Sequence, residues 1–315
     1  MRPYSLIAPA KINLYLEILG DRPDGYHELA MVMQSVALAD QITLRANGTP
    51  RIQVFCDNPE VPADQTNLAY RAAVLMAETY VEAYRQYGGV DIRIEKRIPV
   101  GAGLAGGSTN AAAVLVGLDL MWGIGLTQIE LQDLGAQLGS DVPFCIAGGT
   151  AIATGRGEVL SPLPNIDSLY VVLGKYQSLS VSTVWAYKTY RQRFEETYIR
   201  EGDRLSAKRN AMKSGSLVSA INQGDHAQIG GLLYNDFEKI VLEEYPQVAA
   251  LKSAMAACDP LGCLMSGSGP TVFALAETQD HADRIAADVR TAIPDRDLKL
   301  WVTQLCAHGI QMLPH

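Results

Sequence analysis

The sequence predicts a two-domain α+β protein, and three observations carry that expectation. The chain has 315 residues, room for about two domains at roughly 150 residues each. Strand patterns of period two and helical patterns of period 3.6 follow one another along its length. Strong turn punctuation at PLPNID (162–167) separates two such series, which places the division between 1–163 and 164–315.

Composition bounds the function classes. Hydrophobic residues make up 48% and charged residues 19% of the chain, as expected of a globular protein with substantial cores. The net charge of −8 argues against a broad nucleic-acid surface and leaves room only for a local basic pocket. No apolar run approaches the ~18 residues of a membrane span, so no membrane partner is expected. The first strand pattern starts within a dozen residues of Met1, ahead of which no leader fits, and a cytoplasmic protein is expected. Cysteines 56, 145, 258, 263 and 306 lack CxxC spacing and read as reduced, mostly buried thiols.

In chain order, AKINLYLEILG (10–20) alternates, with Ile12, Leu14, Leu16 and Ile18 on one face and Lys11, Asn13, Tyr15 and Glu17 on the other. Pro23-Asp24-Gly25 marks a turn, and Met31 to Leu44 reads as the returning strand. Residues 67–87 read as one amphipathic helix stopped by Gly88-Gly89, and 90–100 as a strand leading into GAGLAGGST. A helix runs from Ser108 to Trp122, with Ser108 and Thr109 as candidate caps. Thr127 and Glu130 form a capping box for a helix that stops at Gly139. FCIAGGTAIATGRGEVL (144–160) suggests a strand pair around a Gly-Arg-Gly turn. In the second half, strands at 169–174, 262–266, 271–276 and 298–306 alternate with helices at 217–235, 244–257 and 279–292, an α+β sandwich. The stretch 191–210 is highly charged without an apolar stripe and reads as an exposed or mobile insertion in preference to a binding element.

Chemistry concentrates in the glycine loop. Glycines let a backbone turn tightly and approach an anion, and a helix opening behind them adds free N–H groups and a positive dipole end. No lysine follows, so this is not a Walker A loop. Gly101, Gly103 and Gly106 match GxGxxG, but Asp119 comes too soon and inside a helix to be the acidic partner of a dinucleotide fold. Cations must come from elsewhere: Lys11, Lys96 and Arg97 are available, and Lys11 and Asn13 share a strand face. Asp141, before Pro143, is either a helix N-cap or a carboxylate aimed at a substrate hydroxyl. MSGSGPTVFAL (265–275) is either a plain turn or a backbone surface closing over phosphates.

Together and in order, PAKINLYLEILGDRPDGYHEL, IPVGAGLAGGSTNAAA, LGSDVPFCIAGG and MSGSGPTVF resemble the GHMP small-molecule kinases, over positions 9 to 273. The resemblance implies an N-terminal domain of the ribosomal protein S5 domain 2-like type, a C-terminal ferredoxin-like domain and an active site between them. PAKINL and DGYHEL are similar to the branch that acts on 4-diphosphocytidyl-2-C-methyl-D-erythritol. That implies phosphorylation of its 2-hydroxyl by ATP with Mg²⁺, a step of non-mevalonate isoprenoid synthesis.

Carried over by motif, Lys11 and Asp141 are the catalytic pair. Pro99, Val100, Gly101, Ala102, Gly103, Leu104, Ala105, Gly106, Gly107, Ser108 and Thr109 hold the ATP phosphates, with Ser108 a candidate Mg²⁺ ligand. Asn67 and Lys96 fall near adenine, and Asn13, Tyr26 and His27 at the acceptor, the last two on its cytosine. Tyr187, with Trp185 as alternative, closes the cytosine sandwich opposite Tyr26. Segment 191–210 is longer than this family leads one to expect. Two other readings stay open, a GHMP kinase for mevalonate, homoserine or a sugar, and a kinase-like ligand sensor. A monomer or weak homodimer is expected.

Overall fold

Two long strands, Tyr4–Asp21 and His27–Ala46, form the spine of the protein, a computed structural model that describes residues 3–313. They pair antiparallel around the predicted turn, where Arg22 N–H donates to Tyr26 O at 2.8 Å and Gly25 takes a φ of +83°. Register shifts at Pro9/Ala10, Asn13/Tyr15 and Ile18/Gly20 bend the first strand over the site. The alternation at 10–20 correctly marks a strand, but both of its faces are covered there: Lys11 and Asn13 are buried beside Ile12 and Leu14.

The returning strand also pairs with Val90–Glu95 and Thr150–Gly155, and the latter with Val159–Leu163 across the Gly-Arg-Gly turn. In the second half the antiparallel order is Gly262–Met265, Val272–Ala276, Tyr170–Tyr176, Leu298–Cys306. Numbered along the chain from Tyr170, that order is 2-3-1-4, the arrangement of a ferredoxin-like sheet. Leu305 and Cys306 pair with Val36 and Ser35, between the stretches of that strand that pair with Thr150–Gly155 and Val90–Glu95, so the two sheets are continuous.

Helices Leu68–Thr79 and Gly106–Trp122 cover one face of the first sheet. Gly117 permits that contact, because a Cβ there would run into Leu44 and Leu6. The other two core clusters mix residues from both sides of position 163, for example Met31 and Phe144 with Val172 and Phe237.

Several elements differ from expectation for local reasons. The helix over 67–87 breaks at Tyr80 into Leu68–Thr79 and Val81–Tyr87. The second piece buries no residue, and Thr79 turns its hydroxyl back onto Leu75 O. The strand over 90–100 stops at Glu95, because the Asp40 carboxylate takes the N–H groups of Arg97 and Ile98. FCIA is helical, within Val142–Ala147, not the start of a strand pair. The helix over 217–235 splits into Ser216–Gln223 and His226–Gly231, since Gly224 turns left-handed and Asp225 caps the second piece on Gln228 N–H. Within 191–210 the chain takes up regular structure: helix Thr183–Phe194 enters it, the 3-10 turn Glu195–Thr197 follows, and helix Gly202–Lys213 begins after four further residues and buries none of its own. The capping box at Thr127 and Glu130 forms as predicted. All five cysteines are free, and among the described residues no helix is long and apolar enough to cross a membrane.

Candidate active site

A cleft of about 840 Å³ opens between the glycine loop, the tip of the first hairpin, the residues before helix Val142–Ala147 and helix Thr183–Phe194. The loop is clamped from both sides. Lys11 N–H donates to Leu104 O at 3.1 Å, and the Ser266 hydroxyl donates to Gly103 O at 3.0 Å. Gly103 has a φ of +73°, and a Cβ there would collide with Ser266 O. MSGSGP is therefore not a plain turn: Gly267 and Ser268 line the cleft beside the loop.

Helix Gly106–Trp122 starts two residues earlier than predicted, with Ala105 in the N-cap position at a φ of 57° and no side chain capping the end. Its first N–H groups face the cleft as a ready anion site. Ser108 and Thr109 are not caps but first-turn residues. Ser108 lines the cleft, whereas Thr109 is fully buried, outside the lining, with a hydroxyl that has no hydrogen-bond partner.

Lys11 and Asp141 come together as expected, Nζ to Oδ2 at 3.5 Å. Asp141 occupies an N-cap position but makes no capping bond, so its carboxylate is left facing Lys11 and the cleft. The Lys11 ammonium also donates to Asn13 Oδ1 at 2.7 Å, and Asn13 donates to Met31 Sδ at 3.4 Å. These contacts fix the lysine beneath the loop.

The other two candidate cations behave differently. Arg97 points out of the cleft, pairing with Asp57 and Glu95 at 3.3 Å each. Lys96 lines the cleft but is paired with Asp40, whose fully buried carboxylate also takes Arg97 N–H at 2.7 Å, Ile98 N–H at 2.9 Å and Asn110 Nδ2 at 2.7 Å. Asp40 escapes sequence reasoning. Its one signal is a lone acid ending the apolar run of the returning strand. Asn67 lines the cleft and spends its side chain on backbone, accepting from Ala69 N–H at 2.8 Å and donating to Pro62 O at 2.6 Å.

The far end is aromatic. Tyr26 is half exposed, and the Arg156 guanidinium sits 4.6 Å from its ring centre. His27 stacks on Tyr187 at 4.6 Å and 23°. Trp185 packs edge-on against Tyr245 and does not line the cleft, whereas Tyr187 does, with Phe237 packed edge-on against it at 4.8 Å. Burial holds the His27 imidazole below its ordinary pKa; Asp21 opposes that shift and Arg191 adds to it. Burial pushes the Tyr187 phenol and the Cys145 thiol up, and Cys145 packs in the core rather than lining the cleft.

Arg156, Lys188 and Arg191 also line the cleft, outside the motifs that mark the other site residues. Arg156 sits in the noted Gly-Arg-Gly turn; the other two follow Tyr187 on its helix by one and four residues. With Lys11 they make a locally basic cleft on an acidic chain, suited to phosphorylated ligands. Among the described residues no three His, Cys, Asp or Glu side chains converge as a metal cage.

Fold and cleft together define a GHMP kinase: residues 67–149 match the GHMP kinases N terminal domain and residues 217–295 the GHMP kinases C terminal family. Over 313 residues and 99% of each chain, the sequence is 61% identical to the 4-diphosphocytidyl-2-C-methyl-D-erythritol kinase of Nostoc punctiforme. It is 59% identical over 312 residues to the enzyme of that name from Trichodesmium erythraeum. A crystal structure of 4-(cytidine 5'-diphospho)-2C-methyl-D-erythritol kinase superposes with a TM-score of 0.71 at 34% identity, over 96% of this chain and 98% of that one. The homoserine kinase of Cytophaga hutchinsonii, at 19% identity and a TM-score of 0.76, shares the fold. The chain belongs to the 4-diphosphocytidyl-2-C-methyl-D-erythritol kinase family.

Proposed function

We propose that this chain transfers the γ-phosphoryl group of ATP to the 2-hydroxyl of 4-diphosphocytidyl-2-C-methyl-D-erythritol, giving the 2-phosphate and ADP. The observation that carries this reading is the Lys11–Asp141 pair, set between an uncapped glycine-loop helix and an aromatic pocket in one cleft. About 840 Å³ is near the upper end of small-molecule sites, in keeping with two nucleotide-bearing ligands.

Phosphoryl transfer asks a protein for alignment and charge stabilisation. The N–H groups from Gly106 onward and the helix dipole hold the β- and γ-phosphates, and Asn67 and Lys96 line the adenine side. Asp141 orients the acceptor alcohol and accepts its proton at Oδ2 as the O–P bond forms. Lys11, held by Asn13, offsets charge on the transferring group. Tyr26 stacks on the cytosine, Tyr187 walls the opposite side, and His27 reads the base edge. Mg²⁺, when bound, neutralises charge on the β- and γ-phosphates. The donor set fits an ion that arrives with ATP, because Mg²⁺ commonly takes one or two protein oxygens and keeps phosphate and water for the rest. The Ser108 hydroxyl and the Asp141 carboxylate are the oxygens at hand.

The division at 163/164 remains part of this proposal, as do a cytoplasmic location and a monomer or weak homodimer. The test is ADP release with Mg²⁺ and ATP, offering the cytidyl acceptor, mevalonate and homoserine in parallel. Turnover with the cytidyl compound alone is expected. Turnover with either of the others instead would discard the cytosine pocket, and ATP binding without any turnover would favour a ligand sensor.

A further inference from the structure

The charged segment beyond Tyr187 has a specific seat. Instead of extending into solvent, residues 191–209 lean on the hairpin that carries Tyr26 and His27. Arg191 Nη2 pairs with Asp21 at 2.7 Å, and Asp21 in turn lies 3.5 Å from His27 Nε2. Ile199 N–H donates to Leu19 O at 2.7 Å, a backbone bond between the segment and the hairpin strand. Tyr198 packs edge-on to the His27 ring, centroids 6.1 Å apart. Lys208 pairs with Glu17 at 2.8 Å.

The most buried of these contacts centres on Glu28, which is 2% exposed and immediately follows His27. Its carboxylate accepts from Arg209 Nε at 2.7 Å, from Arg22 Nη1 at 2.8 Å and from Gly155 N–H at 3.1 Å. One carboxylate thus ties together the hairpin turn through Arg22, the Gly-Arg-Gly turn whose Arg156 backs Tyr26, and helix Gly202–Lys213 through Arg209. A buried carboxylate is stable only when its charge is matched and its lone pairs are filled. Arg209 supplies part of that match from a helix that otherwise buries nothing.

We infer that Arg209, acting through Glu28, is a positioning residue for the acceptor: the charged segment is a strap that holds the Tyr26–His27 hairpin tip in its base-binding geometry. The inference rests on the reading of Tyr26 and His27 as the cytosine contacts. It assigns the segment to acceptor recognition, not to ATP binding or to the transfer step, since Arg209 touches neither the glycine loop nor Asp141.

The test uses the full chain with Arg209→Gln, Arg209→Lys and Tyr26→Ala, measuring kcat and the KM of acceptor and of ATP separately, with thermal unfolding alongside. Arg209 is partly exposed, so its variants are expected to fold. Arg209→Gln, which removes both the Nε and the Nη2 contact to Glu28, is expected to raise the acceptor KM about tenfold. kcat and the ATP KM are expected to stay within about twofold, the pattern of lost binding that leaves the chemical step intact. Arg209→Lys should recover most of the loss. An acceptor KM unchanged in Arg209→Gln but raised in Tyr26→Ala would overturn the strap and leave the base site standing. No change in either variant would remove the base site and the inference with it. A fall in kcat and a rise in both KM values together would mark a general structural role and also overturn it.

Discussion

At Asp141, replacement by Asn keeps the shape of the side chain while removing its charge and its ability to accept a proton. The expected result is a kcat lower by about 10²–10⁴, with acceptor binding by calorimetry within a few-fold of the wild type. A variant that bound both ligands and turned over normally would remove Asp141 from the mechanism. At His27 the sign of the pH effect follows from burial, which depresses its pKa. The unfolded chain then binds more protons than the folded one below about pH 6.5. Stability from this residue is full above that value, declines as pH falls through it, and is lost once pH is below the depressed folded value. The thermal midpoint should therefore fall between neutral and mildly acid pH, and fall less in His27→Gln. If His27 reads the base as proposed, the acceptor KM should rise only at lower pH, as the folded ring protonates through its depressed pKa and loses its acceptor nitrogen.

Elements were legible where local chemistry decides them. Thr127 with Glu130, Gly139 and the Pro23-Asp24-Gly25 turn each act within a few residues, and each appears where predicted. The misplaced bounds have non-local causes. The strand after Val90 ends early because Asp40, more than fifty residues away in sequence, takes its N–H groups. The glycine-loop helix starts at Gly106 because Ala105 adopts a left-handed conformation that no periodicity announces. The site followed the same rule. Lys11, Asn13, Asp141 and the glycines sit in dense motifs, whereas Asp40, Arg156 and Glu28 matter only through what lies across from them. Asp40 holds strand, loop and helix together, so Asp40→Ala leaves the buried Lys96 ammonium unpaired. That variant should lose about 3–5 kcal/mol of stability, read from urea denaturation, and a loss below 1 kcal/mol would deny the network its role.

At the scale of the whole molecule, the ferredoxin-like order of the second sheet was only partly visible, since strand patterns give neither neighbours nor the pairing of Leu305 with Val36. That join matters for function. It sets the MSGSGP turn against the glycine loop, and it brings helix Thr183–Phe194 with Tyr187 over the first hairpin. Charge also has meaning only at this scale. The chain carries −8 overall, yet Lys11, Arg156, Lys188 and Arg191 converge on one cleft. Screening at higher salt should therefore raise the acceptor KM, an effect absent if those cations point away from the bound diphosphate.

In the proposed reaction the cleft holds its acceptor by the cytosine while Asp141 addresses the hydroxyl. The measurement that tests it is kcat/KM with 4-diphosphocytidyl-2-C-methyl-D-erythritol against 2-C-methyl-D-erythritol 4-phosphate, which offers the same hydroxyl without the cytidyl group. Base stacking of about 1–3 kcal/mol, with the lost edge contacts and diphosphate charge added, predicts a fall of at least a hundredfold for the truncated acceptor. Equal values for the two would contradict a cytosine-holding site, leaving a phosphate loop and a catalytic pair with no use for Tyr26, His27 or Tyr187.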